Sequence, residues 1–259
     1  MKAIASRDNP RFKRLRRWAT QPRARRSDNV LLLDGLHLIV ACLDAGGRLD
    51  EVIVSARGAA HPEIAAWLAA HPAIACFQLS DAMFAELAAT DSPSGILGIA
   101  SPTARAEAPD PTQDCVLLDG IQDPGNVGTL LRTAAAAGIR QALLGPGCAD
   151  PWAPRTLRAG QGAQFEMRIH EAGDLAGFLA AYRGTSLVTR LDASRSLYAT
   201  PLEGPLAWVF GAEGQGVSEA VSRAATFGVH IPMPGKIESL NVAAAAAVCL
   251  FEMVRRRTA

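Results

Sequence analysis

Five polar side chains stand out by type and spacing: Asn126, Arg132, Glu213, Ser239 and Asn241, each in or beside a short glycine-punctuated block. In the first block, Leu117 to Arg132, glycines at 120, 125 and 128 join Pro124 in a tight turn at a helix N-terminus. Backbone amides exposed there, with the helix dipole behind them, stabilise an anion. Asn126 in that turn and Arg132 one to two helical turns later can converge on one polar ligand, and a planar guanidinium matches phosphate oxygens. The lysine of a Walker loop and the dinucleotide glycine pattern are both absent. In the second block, Val209 to Val217, Glu213 stands among glycines that let a backbone approach a ligand closely; its plainer reading is a solvated carboxylate. In the third, Ile231 to Ala243, Pro232 and Pro234 remove two amide donors, and Ser239 or Asn241 can cap the following helix.

The elements that must hold these residues read as strand, loop and helix. Cys115 to Leu118 and Leu206 to Phe210 are short apolar runs that suit buried parallel strands, and Gly138 ends the helix after the first. Ligands of open parallel sheets bind beyond the carboxyl ends of the strands, where all three blocks would lie. The run Val242 to Ala247 has almost no side-chain bulk, so another backbone could pack very close to it. It is also simply a good helix former.

Together, in this order and spacing, the three blocks resemble the SpoU (TrmH-like) family of RNA ribose methyltransferases. The resemblance implies an α/β fold: a C-terminal parallel-sheet domain with a deep trefoil knot, of the SPOUT type, whose knot cradles S-adenosyl-L-methionine. Asn126, Arg132, Glu213, Ser239 and Asn241 fall where the family has its catalytic and ribose-phosphate-binding residues. Gly211, Ile231, Met233 and Leu240 fall where members contact the methyl donor. Arg158 to Ala163 is similar to the family's Arg-Ala-Ser-x-Gly-Ala segment, with Gly160 in place of the serine. The knot region forms much of the family's dimer interface, so a homodimer is expected, with residues of both subunits approaching each site.

Two domains are expected. The stretch from Ser101 to Asp114 loses its apolar runs and gains three prolines, which suits an extended connector. We therefore divide the chain into a substrate-binding domain (residues 1–104), a linker (105–113) and a methyltransferase domain (114–259). Upstream, apolar runs at Val30–Leu33, Leu49–Val54, Ile74–Leu79 and Ile96–Ala100 alternate with helical stretches at Leu36–Leu43, Glu63–Ala70 and Asp81–Ala88, the pattern of a small α/β/α domain. Asn9-Pro10-Arg11-Phe12, Leu33-Asp34-Gly35 and Ser94 to Gly98 make it similar to the ribosomal-protein-L30e-like domain that often precedes the family's catalytic domain; Asp34 replaces the usual glutamate.

A formal net charge of +1 hides an asymmetry, because residues 1–26 hold ten Lys or Arg against Asp8 alone. A basic arm on an acidic body is the footprint of a nucleic-acid partner, and Arg7, Arg11, Lys13, Arg14, Arg16 and Arg17 are the expected RNA contacts. Phe12 and Trp18 are open to two readings: stacking on an unpaired base, or packing inward with Leu15 and Ala19. Arg255, Arg256 and Arg257 read as ordinary charges at a helix C-terminus. Five widely spaced cysteines and five scattered histidines indicate neither a disulfide framework nor a metal site. No apolar stretch is long enough to span a bilayer, no membrane partner is expected, and we expect a cytoplasmic protein. The expected activity is methyl transfer from S-adenosyl-L-methionine to a ribose 2′-hydroxyl of structured RNA, ribosomal ahead of transfer RNA. The alternatives are a non-catalytic RNA-binding protein that kept the fold and a nicotinamide dehydrogenase; the latter lacks its glycine turn and the acidic residue about 20 positions on.

Overall fold

The computed structural model of the protein describes residues 1–88, 93–102 and 107–258; positions 105 and 106 of the expected linker lie outside these. The first half runs β1 (Lys2–Ala3), α1 (Pro10–Thr20), α2 (Pro22–Asp28), β2 (Leu31–Asp34), α3 (Leu36–Asp44), β3 (Leu49–Ser55), α4 (Ala56–Ala60), α5 (Pro62–Ala70), β4 (Ala75–Leu79), α6 (Asp81–Ala85) and β5 (Ile96–Ala100). Then follow β6 (Cys115–Asp119), α7 (Pro124–Ala136), β7 (Gln141–Leu144), α8 (Pro154–Gly160), α9 (Ala163–Glu166), β8 (Arg168–His170), α10 (Leu175–Ala181), β9 (Thr185–Thr189), β10 (Arg195–Ser196), β11 (Leu206–Gly211), α11 (Glu219–Ala224), β12 (Phe227–His230) and α12 (Val242–Thr258). Two compact units result: Met1–Ala104 with Trp152–Phe165, and Arg105–Pro151 with Glu166–Ala259. The segment Trp152–Phe165, inside the expected 114–259 domain, thus packs in the first unit.

In the first unit the strands order as β1-β4-β3-β5-β2, with β5 antiparallel to both neighbours. Side chains alternate across a strand, so Leu32, Ile53, Leu97 and Ile99 face one way, against Phe12, Leu15, Trp18, Met83 and Phe84 of α1 and α6. Leu31, Leu33, Val52, Val54 and Ile96 face the other way, against α3, α5 and α8. This is the expected three-layer arrangement. Phe12 and Trp18 are only 1% and 6% exposed, so the inward-packing reading holds and base stacking by these rings is ruled out. Their spacing of three residues with Leu15 explains why: it places all three on one helical face. At the replaced family serine, a Cβ on Gly160 would overlap the Gln164 side chain, which fills that space and donates to the Thr156 carbonyl at 3.1 Å.

The second unit is a seven-stranded sheet, β10-β12-β9-β11-β6-β7-β8, parallel throughout its described pairs. Its central strands are buried on both faces, as continuous apolar runs in parallel sheets require. Val116, Leu118, Trp208 and Phe210 pack with α7 and α12. Cys115, Leu117, Ala207 and Val209 pack with α10 and α11. Asp123 caps α7, its Oδ1 accepting from the Asn126 amide at 2.8 Å. Of the two candidate caps for α12, Asn241 serves, its Oδ1 accepting from the amides of Ala243 at 2.9 Å and Ala244 at 3.3 Å. Small side chains at Ala243 and Ala246 are buried, and α12 packs on α7. At the far end the arginines do more than face the dipole. Arg256 donates to the carbonyls of Thr200 at 2.7 Å and Tyr198 at 2.6 Å, and Arg257 pairs with Asp114 at 2.5 Å. No described helix is long and apolar enough to cross a membrane.

Candidate active site

The carboxyl edge of the parallel sheet carries the site. Where β11 leaves the sheet, Gly211 is the last residue in register, opposite Asp119 of β6. A Cβ on Gly211 would overlap the backbone of Gly216 and Val217, so the returning loop needs a glycine there. The loop closes on itself through the Gly216 amide and Ala212 carbonyl at 2.8 Å, and Asp119 meets both of its ends: its carbonyl accepts from Ala212 N at 3.1 Å and its Oδ2 from Ser218 N at 2.7 Å.

This loop delivers Glu213 to two amides that come from distant parts of the chain. Asn126 Nδ2 donates to Glu213 Oε1 at 2.6 Å, Asn241 Nδ2 donates to the same oxygen at 2.9 Å, and the Asn241 amide lies 3.1 Å from Asn126 Oδ1. Each amide is itself oriented by a helix start: Asn126 is in the first turn of α7, and the oxygen of Asn241 caps α12. With Oε1 occupied, Oε2 of Glu213 has no donor among the described residues. Amide donors to a carboxylate form strong, charge-assisted bonds, so the three side chains hold one another's rotamers.

Arg132 is not brought into this cluster. Six residues beyond Asn126 on α7, it lies about 9 Å further along the axis and roughly 120° around it by helix geometry. It is exposed, with no hydrogen bond or ion pair among the described residues. Ser239 is exposed and lines a cavity of about 680 Å³ together with Gly211, Glu213, Ile231, Met233 and Leu240. One cavity therefore gathers all four residues expected at the methyl donor and two of the five expected at the ribose. Another part of the lining, Thr189 to Asp192 with Ser222 and Arg223, went unremarked in the sequence. There Arg190 pairs with Asp192 at 2.7 Å and donates to Ser222 Oγ at 2.8 Å; its hydrogen bond is the main reason the Asp192 pKa falls below the ordinary carboxylate range. Glu219 pairs with Arg223, so Glu213 is the one carboxylate of the wall without a cationic partner among the described residues.

The six expected RNA contacts sit on or beside α1, and most are engaged by acids of the same unit. Arg7 and Arg16 pair with Glu86 at 2.6 and 3.5 Å, Lys13 pairs with Asp8 at 2.9 Å, and Arg11 and Arg17 pair with Glu51 and Asp28. The Arg14 guanidinium lies over the Trp18 ring at 5.0 Å.

Known proteins match this chain along nearly its whole length. Residues 9–98 match the MRM3-like substrate binding domain. An uncharacterized tRNA/rRNA methyltransferase of Synechocystis sp. is 31% identical over 261 residues, covering 99% of this chain and 95% of its own. The 23S rRNA (guanosine(2553)-2'-O)-methyltransferase RlmP of Bacillus subtilis is 29% identical, covering 98% of this chain and 99% of its own. Among solved structures, the AdoMet-bound rRNA methyltransferase from Sinorhizobium meliloti superimposes with a TM-score of 0.82 at 26% identity, covering 100% of this chain and 98% of that one. Residues 114–251, more than half of the sequence and the whole of the site, match the SpoU rRNA Methylase family, and the chain belongs to that family.

Proposed function

We propose that the protein transfers a methyl group from S-adenosyl-L-methionine to a ribose 2′-hydroxyl of ribosomal RNA. The observation that carries this reading is the Asn126–Glu213–Asn241 cluster set on the rim of the cavity. The cavity fits the donor. Its volume is in the range of sites that enclose small ligands, its apolar wall includes Ile231, Met233 and Leu240, and the glycine loop leaves backbone groups at its edge. S-adenosyl-L-methionine supplies an electrophilic methyl group on a sulfonium sulfur. Gly211, Ile231, Met233 and Leu240 would hold it.

The remaining work belongs to this chain's own side chains. Glu213, with Oε1 tied to two amides, offers Oε2 to a ribose hydroxyl, and Asn126, Asn241 and Ser239 orient the sugar. Arg132 holds the adjoining phosphate and stabilises the alkoxide that develops as the hydroxyl loses its proton to solvent; a guanidinium, five donors and no acceptor, suits that role better than that of a base. Positioning is the main device, since a well-aligned pair of reactants can remove roughly 7–11 kcal/mol of the barrier.

Arg132 reaches the reaction in a C₂ homodimer, across the subunit interface. Its distance from the cluster supports this, as does Phe251 on α12, 48% exposed beside a half-buried Val248. The loop from Ile231 to Asn241, with α12 behind it, forms the trefoil knot; the buried small residues of α12 suit that crowding. Residues 1–104 bind the RNA. Arg7, Arg11, Lys13, Arg16 and Arg17 exchange their acidic partners for phosphates as they do so, and Arg14 turns from the Trp18 ring to the RNA. Five unpaired thiols support a reducing, cytoplasmic setting.

The test is transfer of tritium from methyl-labelled donor to ribosomal RNA, followed by nuclease digestion and identification of the modified nucleoside. A 2′-O-methylated nucleoside is expected. A base-methylated product refutes the chemistry, and RNA binding without transfer would identify a non-catalytic RNA-binding protein.

A further inference from the structure

We propose that Asp119 is a positioning residue for this reaction, pinning both ends of the loop that carries Glu213 and walls the donor cavity. The inference rests on the methyltransferase reading above. Asp119 is the last residue of β6, and Gly211, its partner in register, is the last of β11. Beyond that rung the chain turns through Ala212 to Val217, all of which line the cavity. The Asp119 carbonyl holds the loop where it leaves, through Ala212 N at 3.1 Å, and its carboxylate holds it where it returns, through Ser218 N at 2.7 Å.

Asp119 itself neither lines the cavity nor bonds to Asn126, Glu213 or Asn241, so it can act only through the loop. Apart from Asp119, the two amides bonded to Glu213 and the packing of Val217 on the buried cluster of Val209 and Val221 hold the loop. Its internal bond joins Gly216 to Ala212, and three of its residues, with Gly211 before them, are of the small or glycine type that leave the backbone free to move. Ser218 precedes the first turn of α11, so its amide has no acceptor within that helix and donates to Asp119 instead, and a carboxylate is favoured beside a helix start. Displacing the loop would carry Glu213 away from two amides that are fixed to other elements. It would also open the wall against which the donor lies.

Two substitutions break the same bond from opposite sides. Asp119→Ala removes the acceptor. Ser218→Pro removes the donor, and Ser218 already has φ near −59°, the value proline imposes. Asp119→Asn keeps an oxygen that can accept from Ser218. Calorimetry with S-adenosyl-L-methionine and steady-state methylation of ribosomal RNA, on full-length protein, give the readouts. Asp119→Ala and Ser218→Pro should each weaken donor binding by about tenfold and lower kcat as well. The double variant should be no worse than either single, because both remove one interaction, and Asp119→Asn should recover much of the loss. If Asp119→Ala does not fold, Ser218→Pro and Asp119→Asn decide the matter. Wild-type donor affinity and kcat in a folded Ser218→Pro or Asp119→Ala protein would overturn the proposal, even if its Tm had dropped. So would additive losses, or an Asn variant as impaired as Ala. Failure of the wild-type protein to bind the donor would instead overturn the functional reading on which the proposal rests.

Discussion

Asn241 carries two duties on one amide group, and they can be separated. Its oxygen caps α12 through the amides of Ala243 and Ala244, while its nitrogen donates to Glu213 and lies within reach of Asn126. Replacement by alanine removes both. Loss of a cap costs about 0.5–2 kcal/mol, and loss of a hydrogen bond to a charged group about 1.5–3 kcal/mol. Part of the second figure is dissipated by solvent at this exposed rim, so a total near 2 kcal/mol is expected. A shift of Tm by roughly 4–8 °C follows for a chain of this size. Replacement by aspartate keeps the capping oxygen and adds favourable charge at the helix start, but it substitutes an acceptor for the donor facing Glu213. Asn241→Asp should therefore lose less Tm than Asn241→Ala and lose about one to two orders of magnitude in kcat, the rate equivalent of the bond to the carboxylate. Differential scanning calorimetry and the methyl-transfer assay read the two effects separately. An Asn241→Asp enzyme as active as wild type would refute the role given to the Asn126–Glu213–Asn241 cluster. An Asn241→Ala protein with unchanged Tm would refute the cap.

Arg132→Ala should abolish turnover while donor affinity by calorimetry stays within about twofold, since Arg132 is remote from the cavity wall; equal losses of both would disprove the assignment. Gly211→Val should weaken donor binding before it affects RNA binding, because its side chain must displace Gly216 and Val217; unchanged donor affinity would show that the loop yields freely. Phe251→Glu should reduce the sedimenting mass from twice the chain mass toward one chain and reduce activity with it, whereas a fully active monomer would remove the interface. Hydrogen bonds from Arg255 and then Arg256 hold the Glu252 carboxyl down at about 2, from an ordinary value of 4.5. A depressed carboxyl contributes stability that is present above its unfolded value and lost as pH falls through that window. Urea unfolding should show that acid limb in the wild type and a weaker one in Glu252→Gln.

Much of the site could be read because its residues lie in compact blocks whose local rules agree. Asn241 is one of the two residues expected to cap α12, and β6 and β11 are apolar runs of the expected length. The inward face of α1 could also be read from Phe12, Leu15 and Trp18, but basic residues between them suit a docked helix and an RNA-binding arm alike. What escaped was non-local. The bond from Asp119 to Ser218 spans 99 positions, and no local pattern announces it. Trp152–Phe165 packs in the first unit through Leu157, Trp152 and Phe165, scattered residues without strand or helix periodicity long enough to interpret. The two- and three-residue strands β1, β8 and β10 are shorter than one alternation pattern. The Arg190–Asp192 wall is an exposed ion pair that resembles any other until the fold sets it beside the glycine loop.

The strand that begins the second unit lies in the middle of its sheet, and this governs how the protein can be made. β6 pairs on one side with β7, soon after it leaves the ribosome, but its other edge waits for β11, in which Ala207 faces Cys115. At translation rates of about 5–20 residues per second, that edge stays bare for several seconds, with the apolar surface of its neighbours unprotected. Every lining residue of the cavity lies between Thr189 and Ala245, so the pocket cannot exist on a nascent chain until synthesis is almost finished. Donor binding therefore cannot guide the early stages of folding. Expression in a host with slowed elongation or depleted chaperones should first show itself as aggregated protein, while the molecules that do emerge soluble retain full specific activity.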